Sequence, residues 1–305
     1  MRQVTQDSFS ARTKGELCRE RISAQSSALA EAYGALLFCN TFSTEEIRIV
    51  TSSEAVSKRL PRIFRRAFSL DFDQQLQPAG EGGKYQLLLT DSAKLSAIFD
   101  SFGWDSTNTL SHHINYAVVE DDPCRAAFFR GAFLAGGSVS EPKKRYQLSF
   151  STSHYWVARE VQPLISELEL SPKTVARSAN YVIYFKQSEA IADFLTAIGA
   201  PLAAMEIINT KMEKNIYNKV NRRSNCDMAN LDKAVAAAQQ QIAAIQHLKE
   251  GGQWHTLPDT LRQTGEARIA NPELSLSQLA QLLGVSKSCL NHRLRKLNQL
   301  AQPQP

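Results

Sequence analysis

Two helix-forming stretches about 97 positions apart are built alike, and the segments that come after them repeat in the same order. The first runs from Ala30 to Asn40 through Tyr33, Gly34 and Leu37, the second from Phe128 to Ser138 through Gly131, Leu134 and Gly136. Small residues recur at a spacing of four in both, Ala30 with Gly34 and Gly131 with Ala135, which lets two helix backbones approach and pack face to face. After the first come a strand (46–52), a helix (53–68), a hairpin ending in 84–90 and a helix (91–103). After the second come a strand (145–152), a helix (153–168), a hairpin ending in 181–186 and a helix (187–199). Ala93, Leu95, Ile98, Phe99 and Gly103 fall opposite Glu189, Ile191, Phe194, Leu195 and Gly199. Segments 41–43 and 138–140 supply the first strand of each opening hairpin. Each half thus reads αββαββα, with helical periodicity switching to strand alternation and back. Chance likeness between two ordinary α/β segments is the competing reading, but order, spacing and the small-residue helix all favour a duplication.

This outline resembles the LAGLIDADG motif of homing endonucleases, in which each helix ends in an Asp that binds a catalytic metal. The matching positions here are Cys39 and Gly136. Metal-assisted phosphodiester cleavage needs carboxylates to hold magnesium and to position a water. Glu45 and Glu141, a little further on, are the alternative ligands, although strand edges often carry such residues. No Ser-His-Asp set, phosphate loop or dinucleotide fingerprint points to another reaction. The expectation is a nuclease scaffold without an enzyme's chemistry, with no cofactor and no metal; an active DNA endonuclease is the alternative. The adjacent His112 and His113 lack partner ligands at metal spacing and read as a loop or strand-edge pair.

At 305 residues, 43% of them hydrophobic, the chain can form two or three units with full cores. Residues 1–18 carry Arg2, Asp7, Arg12, Lys14 and Glu16 and no apolar leader core, and no stretch reaches the roughly 18–20 apolar residues of a spanning helix. Five scattered cysteines, never spaced as C-x-x-C, argue against a disulfide framework and structural zinc. A cytoplasmic location without a membrane partner is the resulting expectation. The net charge of +5 matters less than its distribution. Lys58, Arg59, Arg62, Arg65 and Arg66 share one helix; Lys211, Lys214, Lys219, Arg222 and Arg223 cluster beyond the second repeat; residues 274–305 contain no acid. Three such clusters favour a polyanion partner over merely solvated faces.

The C-terminal segment sharpens that reading. Residues 273–283 form a helix capped by Ser275, Gly284 breaks it, Val285 anchors the turn, and Ser286 caps a second helix from Lys287 to about Gln299. Ala280, Gly284 and Leu290 stand at the spacings a helix-turn-helix needs, with Leu290, Leu294 and Leu297 as its apolar face. Leu294 sits one place later than in many such motifs. The outward residues Ser286, Lys287, Ser288, Asn291, His292 and Arg295, with Arg293 and Lys296, are the candidate DNA-reading set. Asn can pair with adenine in a major groove, and Arg or Lys with guanine. A protein-packing helix pair is the alternative. Before it, a helix from about Asp227 to Leu248, capped by Ser224, carries a narrow seam of Leu231, Val235, Ala238, Ile242 and Ile245. This seam is expected to pack on tail helices within 257–270 rather than on a second chain. Gly251 and Gly252 then separate a small all-α domain.

Three stretches make the resemblance specific: Arg130 through Ser140; Asn221 through Lys233, with Asn225-Cys226 and Ala229-Asn230-Leu231; and Val285 through Leu297. Over nearly the whole chain, and least over 74–83 and 104–114, the sequence resembles the WhiA family of bacterial sporulation and cell-division transcription regulators. The resemblance implies an α+β fold: a duplicated αββαββα LAGLIDADG-like saddle, degenerate as a nuclease, followed by a small all-α helix-turn-helix domain similar to promoter-reading domains of sigma factors. Repeats at 1–105 and 121–218 and a linker helix with the DNA-binding domain at 219–305 are the expected divisions. It also implies a nucleoid-associated, site-specific binder of double-stranded promoter DNA, linked to sporulation genes in filamentous bacteria and to division or chromosome segregation elsewhere. In filamentous relatives a small iron–sulfur protein acts alongside it. Candidate phosphate contacts are Arg62, Arg65, Arg66, Lys143, Lys144, Arg145, Arg222 and Arg223, unless the repeats serve only as a protein-docking module. Because the nuclease saddle lays its sheets along the groove, Lys143, Lys144, Arg145 and Lys186 weigh more than the helical arginines.

Overall fold

The computed structural model describes residues 7–22, 24–80, 82–104 and 111–302, and the chain divides into two compact units, Met1–Lys214 and Asn215–Pro305. Residues 1–6, which include Arg2 of the N-terminal segment, and residues 105–110, part of the connection between the repeats, lie outside the described residues.

In the first unit a short helix α1 (Phe9–Leu17) precedes two copies of one arrangement. The first copy is α2 (Gln25–Leu37), β1 (Thr41–Phe42), β2 (Ile47–Thr51), α3 (Glu54–Phe68), β3 (Gln74–Leu76), β4 (Tyr85–Leu89) and α4 (Ser92–Ser101). The second is α5 (Asp122–Gly136), β5 (Gly137–Val139), β6 (Leu148–Thr152), α6 (Tyr155–Ser166), β7 (Lys173–Arg177), β8 (Asn180–Phe185) and α7 (Ser188–Ile198). Each copy folds an antiparallel four-stranded sheet, in the orders β1-β2-β4-β3 and β5-β6-β8-β7. Alternation decides which side of each sheet enters the core. Ile47, Ile49, Leu87 and Leu89 are buried in the first sheet, and Leu148, Phe150, Ile183 and Phe185 in the second. The duplication is therefore one of topology as well as of sequence.

The halves meet along α2 and α5, and glycine sets how closely. A Cβ on Gly34 would stand 1.9 Å from the Phe128 carbonyl oxygen, and one on Gly131 would stand 1.9 Å from that of Glu31. Each glycine faces the residue three places before the other, so the crossing has local two-fold character. The backbones come closest at this pair; Ala30 is buried and Ala135 only partly so. Around the crossing, Tyr33 stacks on Phe102 (centroids 4.4 Å apart), and Phe38 packs edge-on to Phe128 and Phe150.

Glu31 sits at the same crossing, 1% exposed, and corrects one expectation. It accepts hydrogen bonds from Arg59 (Nε, 2.6 Å; Nη2, 2.9 Å) and from Arg130 (Nε, 3.0 Å). Arg59 also donates to the carbonyls of Cys18 and Glu20, and Arg130 to that of Ile198. Arg59 therefore belongs to the core and not to the exposed basic face of α3 with which the sequence grouped it. One carboxylate pins four helices and a loop around itself, because a buried charge is tolerated only when its partners are complete.

Helix α8 (Pro201–Glu250) is the second departure. Ser224 and Asp227 do not start it; both lie in the interior of one 50-residue helix. The stretch from Leu202 to Glu250 holds neither glycine nor proline, and helix propensity carries it through the polar residues. Beyond it come a 3-10 turn at Gln253–Thr256, α9 (Asp259–Ala270), α10 (Leu276–Leu282) and α11 (Lys287–Leu300). The lower part of the seam does pack on these tail helices, with Ile245 and Leu248 in one core with Trp254, Leu279, Leu290, Leu294 and Leu297. Its upper part does not: Leu231 and Val235 are 59% and 48% exposed. Gly265 lets α9 lie against this core, since a Cβ there would meet Trp254 at 2.5 Å.

Candidate nucleic-acid interface

The tail forms its helix pair as the caps require. Ser275 and Gln278 make a reciprocal capping box at the start of α10. Gly284 adopts φ +65°, and the Val285 N–H returns to the Ala280 carbonyl at 3.0 Å. These bonds close α10 and reverse the chain, after which the Ser286 hydroxyl accepts from the Cys289 N–H and opens α11. Ser286 is thus engaged as a cap. Leu290, Leu294 and Leu297 are all at most 1% exposed, so the later position of Leu294 suits the core.

At about 100° per residue, Ser288, His292 and Arg295 fall on the side of α11 opposite Leu290, flanked by Asn291 and Lys296. Lys287, Ser288, His292, Arg295 and Lys296 are exposed and Asn291 is half-buried. Arg293 lies about 60° from Leu290, beside the packed face, and is half-buried. None of these cations takes part in an ion pair among the described residues. The sequence missed Arg268, a buried side chain of α9. It donates to the carbonyls of Asn271 (2.5 Å), Pro272 (3.2 Å) and Leu274 (2.8 Å), fixing the approach of α9 to α10.

In the first unit the candidate phosphate contacts divide. Arg62, Arg65 and Arg66 are exposed on α3, whose other face (Leu60, Ile63, Phe64) enters the core on the inner side of the first sheet. Arg65 is held by Asp71 at 2.6 Å, an acid just past the helix, and Lys58 by Glu54 at 2.5 Å. Lys143, Lys144 and Arg145 project from the turn joining β5 and β6 and are exposed. The register adds cations that the sequence alone did not single out. Lys173 pairs with Tyr184 and Arg177 with Asn180, which places both on the outer face of the second sheet with Ser149, Ser151 and Val182. Lys186 lies over the Tyr184 ring at 5.3 Å. Within the described strands the outer face of the first sheet carries Arg48 as its one cation, beside Gln74, Gln86 and Leu88, with exposed Lys84 just before β4; Arg48 is engaged by Glu46 and Thr41. In the second unit Arg222 and Arg223 are exposed on α8.

The helix ends where nuclease carboxylates would stand do not fit a divalent cation. A Cβ on Gly136 would meet the Phe38 carbonyl oxygen at 2.5 Å and that of Ser151 at 2.7 Å, so backbone occupies the space of any side chain. The Cys39 thiol lies within 3.1 Å of the Leu36 carbonyl and 3.0 Å of the Thr41 carbonyl, and burial pushes its pKa up to about 12. Such a thiol stays protonated and is no hard-cation ligand. Glu45 and Glu141 do not supply a cluster: among the described residues no three His, Cys, Asp or Glu side chains stand together at metal-binding distance. The two histidines at 112 and 113 diverge. His112 is buried between Phe42 and His154, while His113 pairs with Glu160 at 2.6 Å. No helix among the described residues is long and apolar enough to cross a membrane.

Two family models match the chain: the WhiA LAGLIDADG-like domain over residues 125–217 and the WhiA C-terminal HTH domain over 220–301. A relative from Ruminiclostridium cellulolyticum named probable cell division protein WhiA is 34% identical, over 97% of this chain and 97% of its own. One of the same name from Alkaliphilus metalliredigens is 32% identical over 96% and 97%. Among solved structures, full-length WhiA from Thermotoga maritima superposes with a TM-score of 0.60 at 23% identity, covering 97% of this chain and 98% of that one. A WhiA N-terminal LAGLIDADG domain gives 0.51 at 17% identity, covering 65% and 94%. The solved structures speak for the fold; the whole-length sequence relatives and the two matched domains carry the further step, that this chain belongs to the WhiA family.

Proposed function

We propose that this chain is a sequence-specific double-stranded DNA-binding transcription regulator, nucleoid-associated, acting on promoters of cell-division, chromosome-segregation or sporulation genes. Its LAGLIDADG-like repeats (1–105 and 121–218) have lost cleavage, and target choice rests with residues 219–305. The observation that carries this reading is the surface of α11, where Ser288, Asn291, His292 and Arg295 on the outward side, with Lys287 exposed in the first turn, have no side-chain partner among the described residues, on the second helix of a helix-turn-helix pair. The names of the relatives support the cell-division part of that role. Phosphate contacts by the second sheet, through Lys143, Lys144, Arg145, Lys173, Arg177 and Lys186, would add affinity without sequence information. A base-reading tail with a backbone-tracking saddle is favoured over a purely protein-docking saddle by the accumulation of cations on one sheet face and not on the other.

Genome-wide mapping of bound sites supplies the duplex, and gel retardation then tests the assignment. Arg295→Ala should lower affinity for the cognate duplex about 10–100-fold and relax the preference at one base pair. Arg66→Ala should leave the preference intact and at most reduce the salt dependence. Plasmid incubated with magnesium or manganese should stay uncut. Undiminished base preference after Arg295→Ala together with Lys287→Ala would move the reading role away from α11, and metal-dependent cleavage lost on Glu141→Ala would restore the nuclease.

A further inference from the structure

Between Asn215 and Ala237 every residue of α8 is exposed, so more than six turns of helix pack against none of the described residues. A solvated stretch of this kind is ordinarily polar all round. This one carries Ile216 (64% exposed), Tyr217 (69%), Val220 (60%), Met228 (59%), Leu231 (59%) and Val235 (48%). At about 100° per residue these six side chains fall within roughly 120° of one another. Lys219, Arg222 and Lys233 fall on the opposite arc, and Arg223 borders the apolar stripe.

We propose that this stretch pairs antiparallel with the same stretch of a second copy of this chain. Turned end for end about the point between Asn225 and Cys226, the sequence complements itself. Ile216 of one copy lies opposite Val235 of the other, Val220 opposite Leu231, and Tyr217 over the small Ala234. Arg223 comes beside Asp227 of the other copy, and neither residue takes part in an ion pair among the described residues. A parallel pair would set Arg223 against Arg223 and Asp227 against Asp227, which like-charge repulsion disfavours. The area suffices for a modest dimer. Six side chains losing roughly 100 Å² each, on both copies, bury about 1,200 Å² in total, the lower bound for a specific interface. For an interface at this lower bound we expect a dissociation constant on the order of 1–10 µM. The pairing is independent of base reading by α11.

Sedimentation velocity of the full chain from about 1 to 100 µM reads the pairing directly. Monomer should give way to dimer across that range. Val220→Asp with Leu231→Asp should weaken dimerisation at least about 100-fold while circular dichroism stays unchanged, since both positions are exposed. Arg223→Asp or Asp227→Arg alone should weaken it about 10-fold, and the two together should restore it. In protein lacking the exposed Cys226 and Cys289, a mixture of Ser224→Cys and Asp227→Cys chains should form a disulfide-linked pair, whereas Ser224→Cys alone should not. A monomer up to about 100 µM, or a dimer indifferent to the two aspartates, overturns the proposal.

Discussion

The crossing of α2 and α5 makes a quantitative demand that substitution can test. A carbon normally approaches a carbonyl oxygen no closer than about 3.3 Å. A Cβ at Gly131 would sit 1.9 Å from the Glu31 oxygen, so the two helices must part by about 1.4 Å to admit alanine. The obstacle is helical backbone with Ala35 N a further 3.0 Å contact, and it cannot swing aside as a side chain can. Overpacking costs about 1–3 kcal/mol where neighbours yield, and a rigid neighbour puts this site at the upper end or beyond. Replacing a helical glycine by alanine returns about 1 kcal/mol through propensity. The net expectation for Gly131→Ala is a loss of about 2–3 kcal/mol, and by the two-fold relation the same for Gly34→Ala. Gly15 supplies the internal control: it lies in α1 with nothing within 4 Å of its Cβ position, and alanine there should be neutral or stabilising by up to about 1 kcal/mol. Thermal melting followed by Trp104 and Trp156 fluorescence, in a Trp254→Phe background, reports the first unit. A fall of about 4–12 °C is expected for Gly131→Ala. If Gly131→Ala melts no lower than Gly15→Ala, the helices are not locked by backbone contact and the reasoning fails.

Glu31→Gln leaves Arg59 and Arg130 buried without a counter-charge and should cost about 3–5 kcal/mol in urea unfolding. Arg65→Ala, which removes an exposed pair with Asp71, should cost less than about 1 kcal/mol, and equal costs would refute the buried cluster. Burial, reinforced by His112, holds His154 near a pKa of about 4, below the usual 6.5. Its folded form therefore binds fewer protons than the unfolded chain between those values, so stability falls as pH drops from 6.5 towards 4. Urea midpoints measured across that window should flatten in His154→Gln, and an unchanged slope would place the acid sensitivity elsewhere. Gly265→Ala should push Trp254 from its seat, destabilise the second unit by about 1–3 kcal/mol and weaken promoter binding, with the first unit's melting unchanged. Wild-type melting of both units would show that the tail core has room to spare.

The sequence exposed whatever depends on local pattern. Strand alternation in 85–89 and 181–185, the glycine at 284 and the cap at Ser286 fix elements without reference to distant residues, and the structure has them there. What escaped depends on pairs remote in the chain. Arg59 looks like one more cation in a basic helix until Glu31, 28 residues earlier, is seen beneath it. Lys173 and Arg177 gain meaning only through the register of β7 on β8. The length of α8 was legible in principle, from 49 residues without glycine or proline, but Ser224 followed by Asp227 imitates a helix start. A cap signal inside an unbroken helical stretch is outweighed by propensity, and the seam's upper half stays uncovered because no tail helix reaches it.

That Cys39 and Gly136, and not carboxylates, stand at these helix ends has a physical logic of its own. The negative ends of two helix dipoles disfavour acidic side chains there, and two carboxylates brought together repel unless a cation neutralises both. In this chain the same ends are met by donors. The Thr152 hydroxyl donates to the Leu37 carbonyl at 2.7 Å, and the Cys39 thiol serves the Leu36 and Thr41 carbonyls. At the end of α5 the Lys14 ammonium donates to the Leu134 carbonyl at 3.0 Å, in a site dry enough to bring its pKa down to about 8. Lys14 comes from α1, outside the repeated pattern, and its charge has the sign that a helix C-terminus favours. A scaffold arranged in this way does not need a metal to balance its helix ends. Restoring an aspartate at position 136 would have to displace backbone at Phe38 and Ser151 before it could bind anything. The hydrogen-bonded helix ends are therefore built into the packing, and one substitution would not replace them with metal ligands.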